Sequence, residues 1–187
     1  PLFVESITHS AEELAPFDCV ADQYEFHREL VLDCLKRRSV PLDSLTAIVS
    51  RGGLLTPIEA GAYEVNDDMV WQLKNKPQNE HASNVGAMIA RSISLQLGIP
   101  AYIYDAVTSD ELPPEARGTG FQEVTRTSFC HVLNARATAH KYAQAMGRTY
   151  GDMNLVVAHL GGGISISAHS HGRIIDSVSD DAGPFSP

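Results

Sequence analysis

Apolar positions recur along this chain in two rhythms, and each predicts an element. A helical spacing runs through residues 18–38, where Val20, Tyr24, Val31 and Leu35 share a face, Asp18 offers a cap and Lys36, Arg37 and Arg38 suit the C-terminal end. Val85, Met88, Ile89, Ile93 and Leu97 predict a second helix over 81–97, stopped by Gly98. A third is predicted over 127–146 from Phe129, Val132, Leu133, Ala139, Ala143 and Met146, capped by Thr125 or Thr127 and closed by Gly147. Asn66 caps a shorter one through Lys74. Strands are predicted at 2–7, 45–50 and 99–104. After them Leu155 to Ala158 reads as a buried strand, and Ile164, Ile166 and Ala168 alternate with Ser165, Ser167 and His169 as a half-buried one. Arg173 to Ile175 follows a turn at His171-Gly172. Strands alternating with helices make this an α/β chain, and the pattern restarts near Asp105.

Chemistry gathers at the ends of these elements. Gly161, Gly162 and Gly163 join two strands. Bare glycines permit positive φ and let backbone N–H groups converge on an anion, although a ligand-free hairpin uses glycine equally well. No Gly-Lys-Ser/Thr follows, and the next element is a strand, so this is neither a Walker loop nor a dinucleotide fingerprint. Arg51-Gly52-Gly53 ends a strand, where a guanidinium fork suits carboxylate or phosphate. Asp105 stands directly after another strand, placed for acid–base or metal work or for an ordinary turn. Arg136 falls on the apolar face of its helix, so it needs a partner, a ligand or a path to solvent. Asn79, His81 and Asn84 open the helix over 81–97 and read as caps. His169 and His171 share one strand face at a spacing metals use, but two ligands do not close a zinc site.

Composition narrows the partners. The formal charge of −9 lacks the basic stripe of a nucleic-acid binder, and no apolar run reaches membrane-spanning length. The three cysteines, Cys19, Cys34 and Cys130, include no C-x-x-C, which suits a reduced cytoplasmic protein. A hydrophobic share of 43% over 187 residues is enough for one sizeable core or two small ones.

The runs AIVSRGGLL (47–55), NEHASNVGA (79–87), YIYDAVTSDEL (102–112), AHKYA (139–143) and VVAHLGGGISIS (156–167) together resemble the butyrate kinases of the acetate kinase family over essentially the whole chain. The resemblance implies ribonuclease-H-like (actin-like ATPase) α/β domains with nucleotide in the cleft between them. Residues 1–105 would be part of the N-terminal domain and 106–187 the first part of the second. It implies reversible ATP-dependent phosphorylation of a short carboxylate such as butyrate to an acyl phosphate and ADP, with Mg²⁺, in a cytoplasmic homodimer or larger assembly.

Residue by residue, His159, Leu160, Gly161, Gly162 and Gly163 match the family's nucleotide-phosphate loop HLGNG, with Gly162 replacing the asparagine. Asp105 matches the aspartate of FDTAFH, which implies that it holds Mg²⁺ through water or orients the attack. Arg136 stands where FHGTSHKY has its first histidine, a departure that still places positive charge for the transferring phosphoryl group. Arg51 falls in the region of the substrate arginine of HRVVHGG. Asp176 matches the aspartate of VDTSMG, with a supporting or metal-facing role. The family's opening NPGS-type loop, its RSGD-like run and its adenosine-binding segment have no counterpart in these residues. The expectation is a central part of a longer kinase, turning over little by itself. A nucleotide-binding switch on the same fold, or a kinase for another short or branched acid, are the alternatives.

Overall fold

The computed structural model describes residues 1–179, which fall into two compact units. One comprises Pro1–Leu54 and Tyr63–Ile103; the other comprises Leu55–Ala62 and the chain from Tyr104 onward. The chain therefore passes between the units more than once.

In the first unit, helices α1 (Ala11–Leu14) and α2 (Tyr24–Arg37) precede strand β1 (Ile48–Arg51). Strand β2 (Ala62–Glu64), helices α3 (Asp67–Asn75) and α4 (Asn84–Leu97) and strand β3 (Ala101–Tyr104) follow, and the sheet order is β1-β3-β2. Helix α4 is the centre of this unit, packing against β1, α2 and α3. Val85, Ala87, Met88, Ala90 and Ile93 are buried along it, and each larger side chain so buried contributes about 1.5–3 kcal/mol. Gly98 ends it at φ +66°, donating to Ser94 O at 2.9 Å. Asn66 caps α3 as its position predicts, accepting from the Met69 amide at 2.8 Å.

Two expectations fail here. Residues 2–7 form no strand, and Leu2 and Val4 stand exposed. Their apolar run finds no ladder partner; instead Glu5 pairs with Arg37 and Arg38 at the end of α2. Helix α2 begins at Tyr24 instead of Asp18, because residues 20–23 take a 3-10 turn and leave Asp18 outside the cap position.

The second unit holds helix α5 (Val132–Ala145) and an antiparallel meander of β4 (Asn154–Leu160), β5 (Ile164–Ser170) and β6 (Arg173–Ser179). Helix α5 starts later than its apolar pattern predicts. Residues 125–131 form an irregular segment in which Ser128 and Cys130 are buried, and neither Thr125 nor Thr127 caps the helix. Its end is as predicted: Gly147 takes φ +67° and Arg148 N donates to Ala143 O at 2.9 Å.

The meander reverses the polarity its alternation suggests. Ser165, Ser167 and His169 are buried, while Ile164 is partly exposed and Val156 and Leu160 are 75% and 76% exposed. Polar side chains go inward because α5 and the turn after it supply hydrogen-bond partners there, and satisfied polar groups are tolerated inside. Beneath that face Ala139, Ala143 and Tyr150 pack with Met153, Leu155 and Val157. A bulge between Ala168 and His169 shifts the register of β6, so Ile174 and Ser177 both turn inward. Among the described residues no helix is long and apolar enough to cross a membrane.

Candidate functional site

Asp105 directly follows strand β3 and lies in the left-handed region, at φ +44°. Aspartate tolerates that conformation better than most residues, yet it remains uncommon away from glycine and tends to mark a functional position. The distortion is pinned reciprocally by Gly61. Asp105 N donates to Gly61 O at 3.0 Å, and Gly61 N donates to Asp105 Oδ1 at 2.9 Å. The second carboxylate oxygen, Oδ2, accepts from Arg136 Nε at 3.0 Å. Burial pushes the carboxyl above its ordinary pKa, although Arg136 and the Gly61 amide pull the other way.

Arg136 thus has the partner its place on α5 demands. Its Nη1 also donates to Gly172 O at 3.0 Å and lies 3.9 Å from Glu111 Oε2. The guanidinium carbon sits 5.5 Å from the centroid of the Tyr150 ring. Burial alone would weaken the cation, but Asp105, Tyr150 and Glu111 more than offset it, so Arg136 is held above its usual pKa. Glu111 is partly buried, its side chain 8% exposed, accepting from Ile174 N at 3.3 Å and lying 3.9 Å from Arg173. Removing one member of such a buried set costs about 3–5 kcal/mol, because it strands the opposite charge. Sequence reasoning missed Gly61, Glu111 and Tyr150. Glu111 belongs to the run YIYDAVTSDEL; Gly61 and Tyr150 carried no signal beyond ordinary turns.

Tyr150 stands in a 3-10 turn held by a capping box between Thr149 and Asp152. Its hydroxyl lies 2.6 Å from His169 Nδ1, and His169 Nε2 lies 2.7 Å from Ser167 Oγ. Burial, with Arg136 adding to it, lowers the His169 pKa to about 4, so this imidazole is neutral at physiological pH. His169 and His171 do not share a strand face as predicted. The bulge and turn leave His169 inside the meander and His171 exposed at φ +48°. Among the described residues no three His, Cys, Asp or Glu side chains gather to hold a metal ion.

The glycine loop joins β4 and β5 as predicted, with Gly161 N donating to Gly163 O at 3.1 Å. The expected left-handed freedom is not used: among the described residues the positive-φ glycines are Gly61, Gly98, Gly120, Gly147 and Gly172. Gly161 is needed for close approach instead, since a Cβ there would fall 2.8 Å from His159 Nε2. Gly162 has open space around its missing Cβ. His159 Nδ1 accepts from Asn134 Nδ2 at 2.8 Å, and its ring stacks on His131 at 3.8 Å and 6°. His131 in turn lies 2.9 Å from Ser165 Oγ. Leu160 points to solvent.

Asp176 carries an ion pair with Arg126 at 2.9 Å and is half exposed. Arg51 closes β1 in the first unit with its side chain exposed. Asn84 is no cap: it is buried, accepts from Leu54 N at 2.8 Å and donates to Asn79 O at 2.9 Å. Ser179 is buried on the inner face of the meander, whereas Asp180 and Asp181 lie outside the described residues. The structure therefore brings Asp105 and Arg136 into direct contact, and on the same unit it places His159 and Leu160 at the end of β4 with residues 161–163 as the loop that follows.

The architecture is found in kinases of known structure. Porphyromonas gingivalis acetate kinase superposes with a TM-score of 0.63 over 81% of this chain and 41% of that one, at 17% identity. The fold class is that of the acetate kinases, an actin-like ATPase fold. In sequence the chain is 44% identical over its whole length to a probable butyrate kinase of Clostridium botulinum and 43% identical to butyrate kinase 1 of Clostridium acetobutylicum, covering 53% of each. It is similar to these butyrate kinases and spans about half the length of these curated relatives. No family model matches it.

Proposed function

We propose that the protein carrying this chain transfers the γ-phosphoryl group of ATP to a short carboxylate, butyrate first among them, giving an acyl phosphate and ADP reversibly. The observation that carries the proposal is the buried pair of Asp105 and Arg136 at the end of β3, in a chain similar to butyrate kinases. A carboxylate oxygen forms the new P–O bond, the bond to the departing ADP oxygen breaks, and no proton has to be removed from the nucleophile. Catalysis then rests on positioning and on charge. Arg136 is fixed on three sides, so its positive charge is already oriented for a transferring phosphoryl group without reorganisation.

The glycine loop is open at Gly162, where a Cβ would meet nothing within 4 Å, and the ring of His159 is held beside Gly161. Residues 159–163 are the proposed nucleotide-phosphate loop, and Arg51 the proposed partner of the substrate carboxylate. A single buried carboxylate suits Mg²⁺, which keeps its waters and binds through one or two carboxylates plus substrate phosphates. Asp105 would hold the ion through water, with Asp176 in a supporting role; when bound, Mg²⁺ neutralises charge on the phosphate oxygens. Residues 1–105 and 106–187 are proposed as parts of two actin-like ATPase domains in a cytoplasmic homo-oligomer.

The test is ATP-dependent hydroxamate formation from butyrate and hydroxylamine by the full reading frame. Asp105→Asn, which keeps the side-chain shape, is expected to lower turnover by about 10²-fold or more with nucleotide binding retained. A wild-type protein that binds ATP and yields no hydroxamate with butyrate or its short homologues would overturn the reading.

A further inference from the structure

We infer that Tyr150 and His169 are positioning residues: with Ser167 they form a buried hydrogen-bond chain that fixes Arg136 relative to strand β4, the strand carrying His159 into the glycine loop. The inference rests on the proposed role of Arg136 in phosphoryl transfer.

Proton directions can be assigned from the far end of the chain. Ser167 Oγ lies 3.5 Å from Val157 O, a long contact in which the carbonyl can only accept. With the serine hydrogen turned to Val157 O, Ser167 Oγ accepts from His169 Nε2–H at 2.7 Å. That tautomer leaves Nδ1 bare to accept the Tyr150 hydroxyl hydrogen at 2.6 Å. Above Tyr150 sits the Arg136 guanidinium, whose positive charge polarises the phenol toward donation. One consistent arrangement thus runs from the cation through Tyr150, His169 and Ser167 to the backbone of β4 at Val157, two residues before His159.

Packing alone does not ask for these groups. Tyr150 and His169 are 5% and 2% exposed, and apolar side chains of similar size would fill the same space without polar atoms to satisfy. What the polar chain adds is direction. Asp105, Gly172 O and Glu111 hold edges of the guanidinium, and Tyr150 supplies its face. Losing the phenol's anchor frees the ring to tilt and the cation to follow, and small misplacement of a catalytic charge is expensive in rate.

The full reading frame is assayed as wild type, Tyr150→Phe, His169→Leu and His169→Gln. Tyr150→Phe and His169→Leu are expected to lower kcat about tenfold while leaving KM for ATP and butyrate within about twofold. His169→Gln should recover most of the loss, since its amide oxygen accepts from Tyr150 and its NH₂ donates to Ser167. Side-chain ¹⁵N NMR supplies a readout independent of turnover: His169 should be the neutral Nε2–H tautomer, and its Nδ1 signal should move in Tyr150→Phe. Wild-type kcat in the phenylalanine and leucine variants, no advantage of glutamine over leucine, or an Nδ1–H tautomer would each overturn the inference. An inactive wild type in which His169 is Nε2–H would instead count against the carboxylate kinase reading, with the hydrogen-bond chain upheld.

Discussion

His169 is the residue whose chemistry departs furthest from its free behaviour. Its pKa falls from 6.5 to about 4 on folding, so the unfolded chain takes up a proton first as pH drops. The stabilisation is fully present above pH 6.5, is lost progressively down to about pH 4, and is worth up to roughly 3 kcal/mol. Urea unfolding at pH 7, 5 and 4 should show this acid loss in the wild type and a shallower one in His169→Leu; equal slopes would sink the assignment. Asp105 works in the opposite sense. Burial raises its carboxyl pKa, so its ionisation opposes folding as pH rises through that raised value. At this scale the sequence flagged Arg136, because a charge on an apolar helix stripe demands an explanation. It could not name Asp105 as the partner, since 31 residues separate them and only folding brings them to 3.0 Å.

The glycine loop shows how an element can be read correctly for an incomplete reason. Its place between two strands was legible, yet its glycines do not need left-handed backbone. The constraint is the His159 ring, pinned by Asn134 and stacked on His131, so it cannot retreat from a new methyl group. Gly161→Ala is therefore expected to destabilise by about 1–3 kcal/mol, while Gly162→Ala, facing open space, stays within about 0.5 kcal/mol. Chemical denaturation of the two variants checks the contrast, and equal effects would show that the ring moves freely. The meander carries a harder lesson. Alternation along β5 was plain, but which set turned inward depended on His131 and Tyr150 arriving with hydrogen bonds for Ser165 and His169. Period-2 patterning gives parity, and a bulge at Ala168/His169 then shifts even that for β6.

Over the whole described chain, Val156 and Leu160 on β4 and Ile164 on β5 are apolar and lie on the meander's outer side. The 187-residue chain by itself is expected to bind a hydrophobic dye and to associate with rising concentration. The double substitution Val156→Thr, Leu160→Thr should reduce both without loss of stability. Dye fluorescence and sedimentation test this, and a dispersed, dye-free wild-type chain would refute it. The sequence by itself determined the α/β alternation, the helix ends at Gly98 and Gly147, the strand-loop-strand of the glycine motif and the likeness to carboxylate kinases, because each depends on local spacing or on runs of adjacent residues. Only the tertiary structure decided that residues 2–7 are no strand, that Leu55–Ala62 belongs with the second unit, and that Gly61, Glu111, Tyr150 and His169 surround Arg136 and Asp105. Ladder partners, buried counter-charges and hydrogen-bond acceptors come from distant parts of the chain, and their energies exist only once the chain has closed on itself.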